Sequence, residues 1–153
     1  MRSIQLAVDM TIAVALLTST GVASSAKSCR CAVTIPNGNT PPGEIPTPTH
    51  YGNGALWTVL SADGKVIVDE SPDSMSVKFP WWRGVRGKLT IVGRRLDAPA
   101  PALRASIPEG YGDSGFQASG VTFPTEGCWE VTGKVGHSTL KFVTLVIREG
   151  KRK

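Results

Sequence analysis

The sequence predicts an all-β protein, an antiparallel β-sandwich of about seven strands preceded by an export signal and a Pro/Gly-rich arm. Three observations carry this reading. After Gly54 apolar and polar residues alternate in short runs, the period of a half-buried strand. Gly and Pro, 17 and 11 residues in a chain of 153, punctuate those runs at turn spacings. No segment beyond the export signal shows helical periodicity, and there is no internal repeat. The alternative architecture is a small closed barrel.

Arg2 precedes Met10–Leu17, an apolar core of signal-peptide length that is too short to span a bilayer. Ser24, Ser25 and Ala26 supply the small residues of a cleavage site, so the cut is expected after Ala26 and residues 1–26 are read as a signal peptide. Asp9 and a start at Met10, which would remove Arg2, count against this. The competing reading, a buried core helix, has no second helix to pack against. A lipoprotein signal would instead end in cysteine, which makes Cys29 a lipidation candidate, although Lys27 fits that pattern poorly.

Residues 27–54 read as an extended arm. Thr34 to Gly54 is rich in Pro, Gly, Asn and Thr, and its prolines cannot donate to a regular ladder. The sandwich is expected over residues 55–148. Ala55–Leu60 and Lys65–Asp69 flank Asp63-Gly64, a hairpin signal. Met75, Val77 and Phe79 alternate with Ser76 and Lys78, and Leu89 and Ile91 alternate with Lys88 and Thr90. Between Asp97 and Pro108, Pro99, Pro101 and Pro108 exclude a central strand and predict a crossing loop or an edge segment. Phe116–Phe123 reads as a strand whose apolar parity shifts at Gly120, so a bulge is expected there. Trp129, Val131 and Val135 oppose Glu130, Thr132 and Lys134. Gly136-His137 then turns the chain into Leu140–Ile147, the most apolar strand.

The part beyond residue 26 is long enough for one domain with its own core. Of the net charge of +5, most belongs to Arg148, Lys151, Arg152 and Lys153 set against Glu149, so the globular part is nearly balanced. Residues 149–153 are read as a solvated basic tail, with weak contact to anionic wall polymer or lipid headgroups as the alternative. Export removes the chain from nucleic acid. Membrane attachment is expected only through a lipid at Cys29 or weakly through this tail.

Four segments, Gly52–Trp57, Phe79–Gly84, Gly93–Pro101 and Phe123–Gly133, look like those of a set of uncharacterised secreted or lipid-anchored bacterial proteins. The resemblance covers most of the chain beyond the signal. It implies exported bacterial origin and carries over no catalytic residues. The Gly127–Val131 segment is also similar to the penultimate strand of immunoglobulin-like modules, which implies that topology and places the aromatic Trp129 in the core.

Three cysteines in an exported chain leave one without an intramolecular partner. If Trp129 faces the core, strand parity puts Cys128 on the outer face, where an arm laid across it would bring Cys31 into reach. A Cys31–Cys128 disulfide is the expected pair. Cys29 is then free, lipidated or an alternative partner, and the opposing reading keeps all three reduced. A metal at Cys29 and Cys31 lacks nearby ligands to complete a tetrahedral set.

Gly112-Asp-Ser-Gly115 copies the residues around a serine-protease nucleophile. The chemistry needs Ser114 beside a histidine base and a buried carboxylate. The only upstream histidine that is available, His50, sits in the Pro-rich arm, so a turn is the simpler reading. His137 is expected in a solvated turn. The carboxylates form no pair at glycosidase separation, and no phosphate loop or cofactor fingerprint is present. The best binding feature is Pro80–Arg86. Parity puts Trp81 inward and Trp82 outward, where an indole flanked by Arg83 and Arg86 suits a sugar face or an anion; in the competing reading both indoles cap the core. Tyr111, in a Gly-rich loop, is a second contact candidate. Arg94 and Arg95 read as solvated rims on opposite faces. The expected function is that of a secreted or envelope-associated non-enzymatic module, without a cofactor, recognising an unidentified glycan, wall polymer or protein. Two alternatives are an accessory domain pairing through edge strands and a small hydrolase or inhibitor.

Overall fold

The computed structural model describes residues 30–68 and 75–149. The signal segment, Cys29, Asp69 and residues 150–153 of the basic tail lie outside them. The described residues form nine strands and no helix: β1 His50–Gly52, β2 Leu56–Val59, β3 Lys65–Val68, β4 Met75–Arg83, β5 Thr90–Arg95, β6 Arg104–Ser106, β7 Gly115–Phe123, β8 Gly127–Val135 and β9 Ser138–Arg148. One sheet has the order β1-β2-β4-β7-β6 and the other β3-β9-β8-β5. Their inner faces enclose one core, with Trp81, Phe123 and Val121 from the first packed against Trp129, Val131, Phe142 and Val146 from the second. Two strands exceed the expected seven. β6 is an edge strand within the Pro-rich crossing, and β1 lies in the arm.

Two local expectations are corrected. Asp63-Gly64 does not close a hairpin, because β2 and β3 belong to different sheets and β3 runs parallel to β9. The turn chemistry is present: the Asp63 carboxylate accepts from the Lys65 backbone N–H and the Ser61 hydroxyl, and Gly64 has φ +68°. The Gly64 carbonyl, however, accepts from the Leu145 N–H and the Thr144 hydroxyl. Those bonds hand the chain to β9, whose Val146 and Ile147 pair with Val66 and Ile67. The bulge at Gly120 is also absent. β7 pairs with β4 without interruption from Met75↔Phe123 to Arg83↔Gly115. Its inward set is Gln117, Ser119, Val121 and Phe123, so two polar residues occupy core-facing positions. Each is satisfied there, as a buried polar group must be: the Ser119 hydroxyl donates to the Phe79 carbonyl at 2.9 Å, and Gln117 Nε2 donates to the carbonyls of Pro108 and Ala118, each at 3.0 Å.

The arm is a strap fixed along its length. Cys31 and Cys128 are joined by a disulfide, with S–S 2.03 Å. Beyond it, the Thr34 N–H donates to the Val143 carbonyl and its hydroxyl accepts from the Val143 N–H. Asn37 pairs through its side-chain amide with the backbone of Gly52, and Asn39 accepts from the Trp57 indole. β3 covers only residues 145–148 of β9. Thr34, together with Tyr51 and Asn53, which donate to the carbonyls of Lys141 and Thr139, occupies the rest of that edge. An open ladder that would invite another strand is thereby blunted.

On the outer surface Asp97 accepts from Arg95, and Glu130 accepts from Arg94 and lies 3.4 Å from the Lys141 ammonium. These hydrogen bonds and cations hold both carboxyls below their ordinary pKa values. A carboxyl with a lowered folded-state pKa contributes stability above its unfolded pKa, near about 4, and loses it as pH falls through the folded value. Urea midpoints are therefore expected to fall between pH 6 and pH 3, and Glu130→Gln should flatten part of that slope. An unchanged slope in the variant would assign the acid sensitivity elsewhere.

Candidate functional site: an aromatic strip and an end cleft

Alternation along β4 turns Trp81 into the core and Trp82 to the outer face. Register then builds a row across the sheet, because Trp57 of β2 pairs with Trp82 and Trp82 pairs with Phe116 of β7. Trp57 is buried, its indole N–H donating to Asn39 of the strap at 2.8 Å. Trp82 is half-buried. Its indole N–H donates to the Glu44 carboxylate at 2.9 Å, and its ring meets His50 at 5.6 Å and Phe116 at 5.5 Å between centroids. Tyr111 continues the row, 5.7 Å from Phe116. The two contacts of Trp82 are edge-on, a geometry that aromatic pairs favour. Phe116 and Tyr111 remain 44% and 38% exposed, and Ile45, next to Glu44, is 82% exposed. The outer sheet face thus presents an apolar strip with a carboxylate at one end.

The strip brings Trp82 and Tyr111 together but not the two arginines. Arg83 points inward and is buried, as β4 parity requires. Its Nη1 donates to the Gly87 carbonyl at 2.9 Å, and Nη2 donates to the carbonyls of Tyr111, Gly112 and Ser114 at 3.0, 3.0 and 3.3 Å. The guanidinium fastens the loop after β4 to the loop before β7 and thereby positions Tyr111. Arg86 is exposed in the loop after β4. Between the same two loops opens a cleft of about 470 Å³, lined in part by Arg83, Lys88, Glu109, Tyr111, Asp113 and Gln117.

The remaining singled-out residues fall elsewhere. The His50 ring is buried against Trp82, with Nδ1 3.1 Å from the Thr40 hydroxyl. Ser114 contributes its carbonyl to Arg83. His137 is exposed in the β8–β9 turn. Arg94 and Arg95 are engaged by Glu130 and Asp97. Cys29 lies outside the described residues. Among the described residues no helix is long and apolar enough to cross a membrane, and no three His, Cys, Asp or Glu side chains converge on a metal-sized site. Sequence reading missed Phe116, the most exposed ring of the strip, and Glu44. Phe116 was detectable from its outward parity once Gly120 is read as in register; Glu44 carries no local signal, since only the folded strap brings it to Trp82. Comparison with protein-family models, curated proteins and solved structures finds no match.

Proposed function

We propose that this chain is an exported, non-enzymatic module of immunoglobulin-like topology that recognises an envelope glycan polymer through the Tyr111–Phe116–Trp82 strip. The topology reading rests on strand order. Omitting β1, one sheet runs β2-β4-β7-β6 and the other β5-β8-β9, with β3 added beside β9. These correspond to the ABED and CFG sheets of an immunoglobulin fold, and Trp129 is buried on the penultimate strand. The Cys31–Cys128 disulfide favours an oxidising compartment.

The observation that carries the function is the strip itself. Phe116 contacts both Trp82 on the outer sheet face and Tyr111 of the adjoining loop, and Phe116 and Tyr111 are substantially exposed. Aromatic rings with a hydrogen-bonding carboxylate at one end match a polymer with apolar ring faces and hydroxyl edges. The test is retention of the purified protein on insoluble cell-wall polysaccharide. Phe116→Ala and Trp82→Ala are each expected to weaken retention about tenfold, the equivalent of 1.4 kcal/mol per tenfold change. Unfolding midpoints should stay near that of the parent for Phe116→Ala, whose ring is exposed. Undiminished retention in both variants would remove the strip as the binding face.

A further inference from the structure

We infer that the cleft at the end of the sandwich is a second, saccharide-binding site that seats one or two neutral sugar rings at the terminus of the glycan. The inference rests on the glycan reading above and specifies its chemistry. A volume of about 470 Å³ is of the size of small-molecule pockets. Its floor is built from polar side chains withdrawn from water, Arg83 and Gln117 being 3% and 4% exposed. Gln117 Nε2 is committed to two carbonyls, which fixes the amide orientation and leaves Oε1 as the acceptor this side chain offers. Arg83 Nε is buried without a partner, and the rest of its fork ties both lips of the cleft. The site is therefore held open by the fold rather than formed on demand.

The charges around the cleft choose the ligand class. Arg83 and Lys88 are offset by Glu109 and Asp113, so the lining is formally balanced. A phosphate or another anion would demand a cationic surplus, and a cation the reverse. A polyhydroxylated ring meets both kinds of group at once: its hydroxyls donate to Glu109 and Asp113 and accept from Lys88. Charge-assisted bonds of this kind are the stronger ones. Tyr111, shared with the strip, supplies an aromatic wall. A zwitterionic peptide end is the other charge-neutral ligand, and the experiment separates the two.

Backbone and side-chain amide NMR shifts of the folded protein would be followed while cellobiose, maltose, N,N′-diacetylchitobiose, glucuronate and glycylglycine are titrated in turn. At least one neutral disaccharide is expected to saturate shifts at Gly110, Gly112 and the Gln117 side-chain amide with a Kd on the order of 1 mM. Asp113→Asn and Tyr111→Ala, both at exposed positions, should each weaken that binding about tenfold. The inference is overturned if no neutral disaccharide saturates these amides, if glycylglycine or glucuronate does so in preference, or if both variants bind as the parent does. Failure here with polymer retention intact would leave the strip standing. Disaccharide binding without retention would do the opposite.

Discussion

Replacing Cys128 with alanine is expected to cost about 4 to 5 kcal/mol of unfolding free energy. Cys31 and Cys128 are 97 residues apart, so their bond closes into one loop the chain from the strap to the start of β8. Removing such a cross-link frees the denatured ensemble, and by chain entropy a loop of about 100 residues corresponds to about 4.7 kcal/mol. The loss is large against a total stability of about 5 to 15 kcal/mol for a domain. Cys128 is buried and small, so alanine leaves little cavity. Urea unfolding should give the same shift for Cys128→Ala as for the parent treated with reductant. The variant is best measured with Cys29→Ser present, so that Cys31, left without Cys128, cannot pair with Cys29. Exchange of the Thr34 and Gly38 amides, which bond to Val143 and His50, should quicken well before the core strands do. A shift below about 1 kcal/mol would mean that the denatured chain is already compact enough to make the bond thermodynamically idle.

That bond is legible in the sequence, and the reason is parity. Trp129 is the kind of residue a core takes, period-2 geometry then turns Cys128 outward, and an arm laid across that face brings Cys31 into reach. The same alternation placed Trp81 inward and Trp82 outward and made Leu140–Ile147 a strand. Misreadings arose where side chains of one character took positions typical of another. Gln117 and Ser119 face inward because carbonyls receive them there: Pro108 of the preceding loop and the adjacent Ala118 for Gln117, and Phe79 of the neighbouring β4 for Ser119. Read as outward, they produced a bulge that the register does not contain. Asp63-Gly64 has the composition of a hairpin and the local hydrogen bonds of a tight turn. Which sheet the next strand joins was decided instead by the vacant edge of β9, a fact absent from that stretch of sequence.

The candidate site was legible in its parts but not as an assembly. Trp82 and Tyr111 stand out by type and context, yet 29 positions separate them, and only the β4–β7 register shows that Phe116 joins them. Arg83 illustrates a different limit. A guanidinium next to an indole reads as a ligand contact, whereas a β4 residue with the parity of Trp81 is bound to enter the interior. Applying the parity rule one residue further would have predicted a buried arginine. What it could not supply is the set of carbonyls, from Gly87, Tyr111, Gly112 and Ser114, that makes such burial tolerable.

The core depends on a second pairing that should show itself as strong coupling. Trp81 is fully buried, and its six-membered ring lies against Gly133 of β8, where a Cβ would stand 2.3 Å from ring carbons Cζ3 and Cη2. A glycine inside a strand is otherwise a weakness, tolerated where another group approaches closely. Trp81→Ala is expected to cost about 3 to 5 kcal/mol by opening a large cavity between the sheets. Gly133→Ala should cost about 1 to 3 kcal/mol, because the indole must shift within a packed interior. Trp81→Phe is more informative. It withdraws the ring atoms that crowd position 133, and it removes an indole N–H that is buried without an acceptor. An unmet buried donor costs about 1 to 3 kcal/mol, so the phenylalanine variant should lose less than its lost area alone implies. In that background Gly133→Ala should become nearly neutral, giving a coupling energy of about 0.5 to 3 kcal/mol in a double-mutant cycle read by urea unfolding. Costs that add to within about 0.5 kcal/mol would show that the glycine is required by the β8 backbone and not by the ring above it.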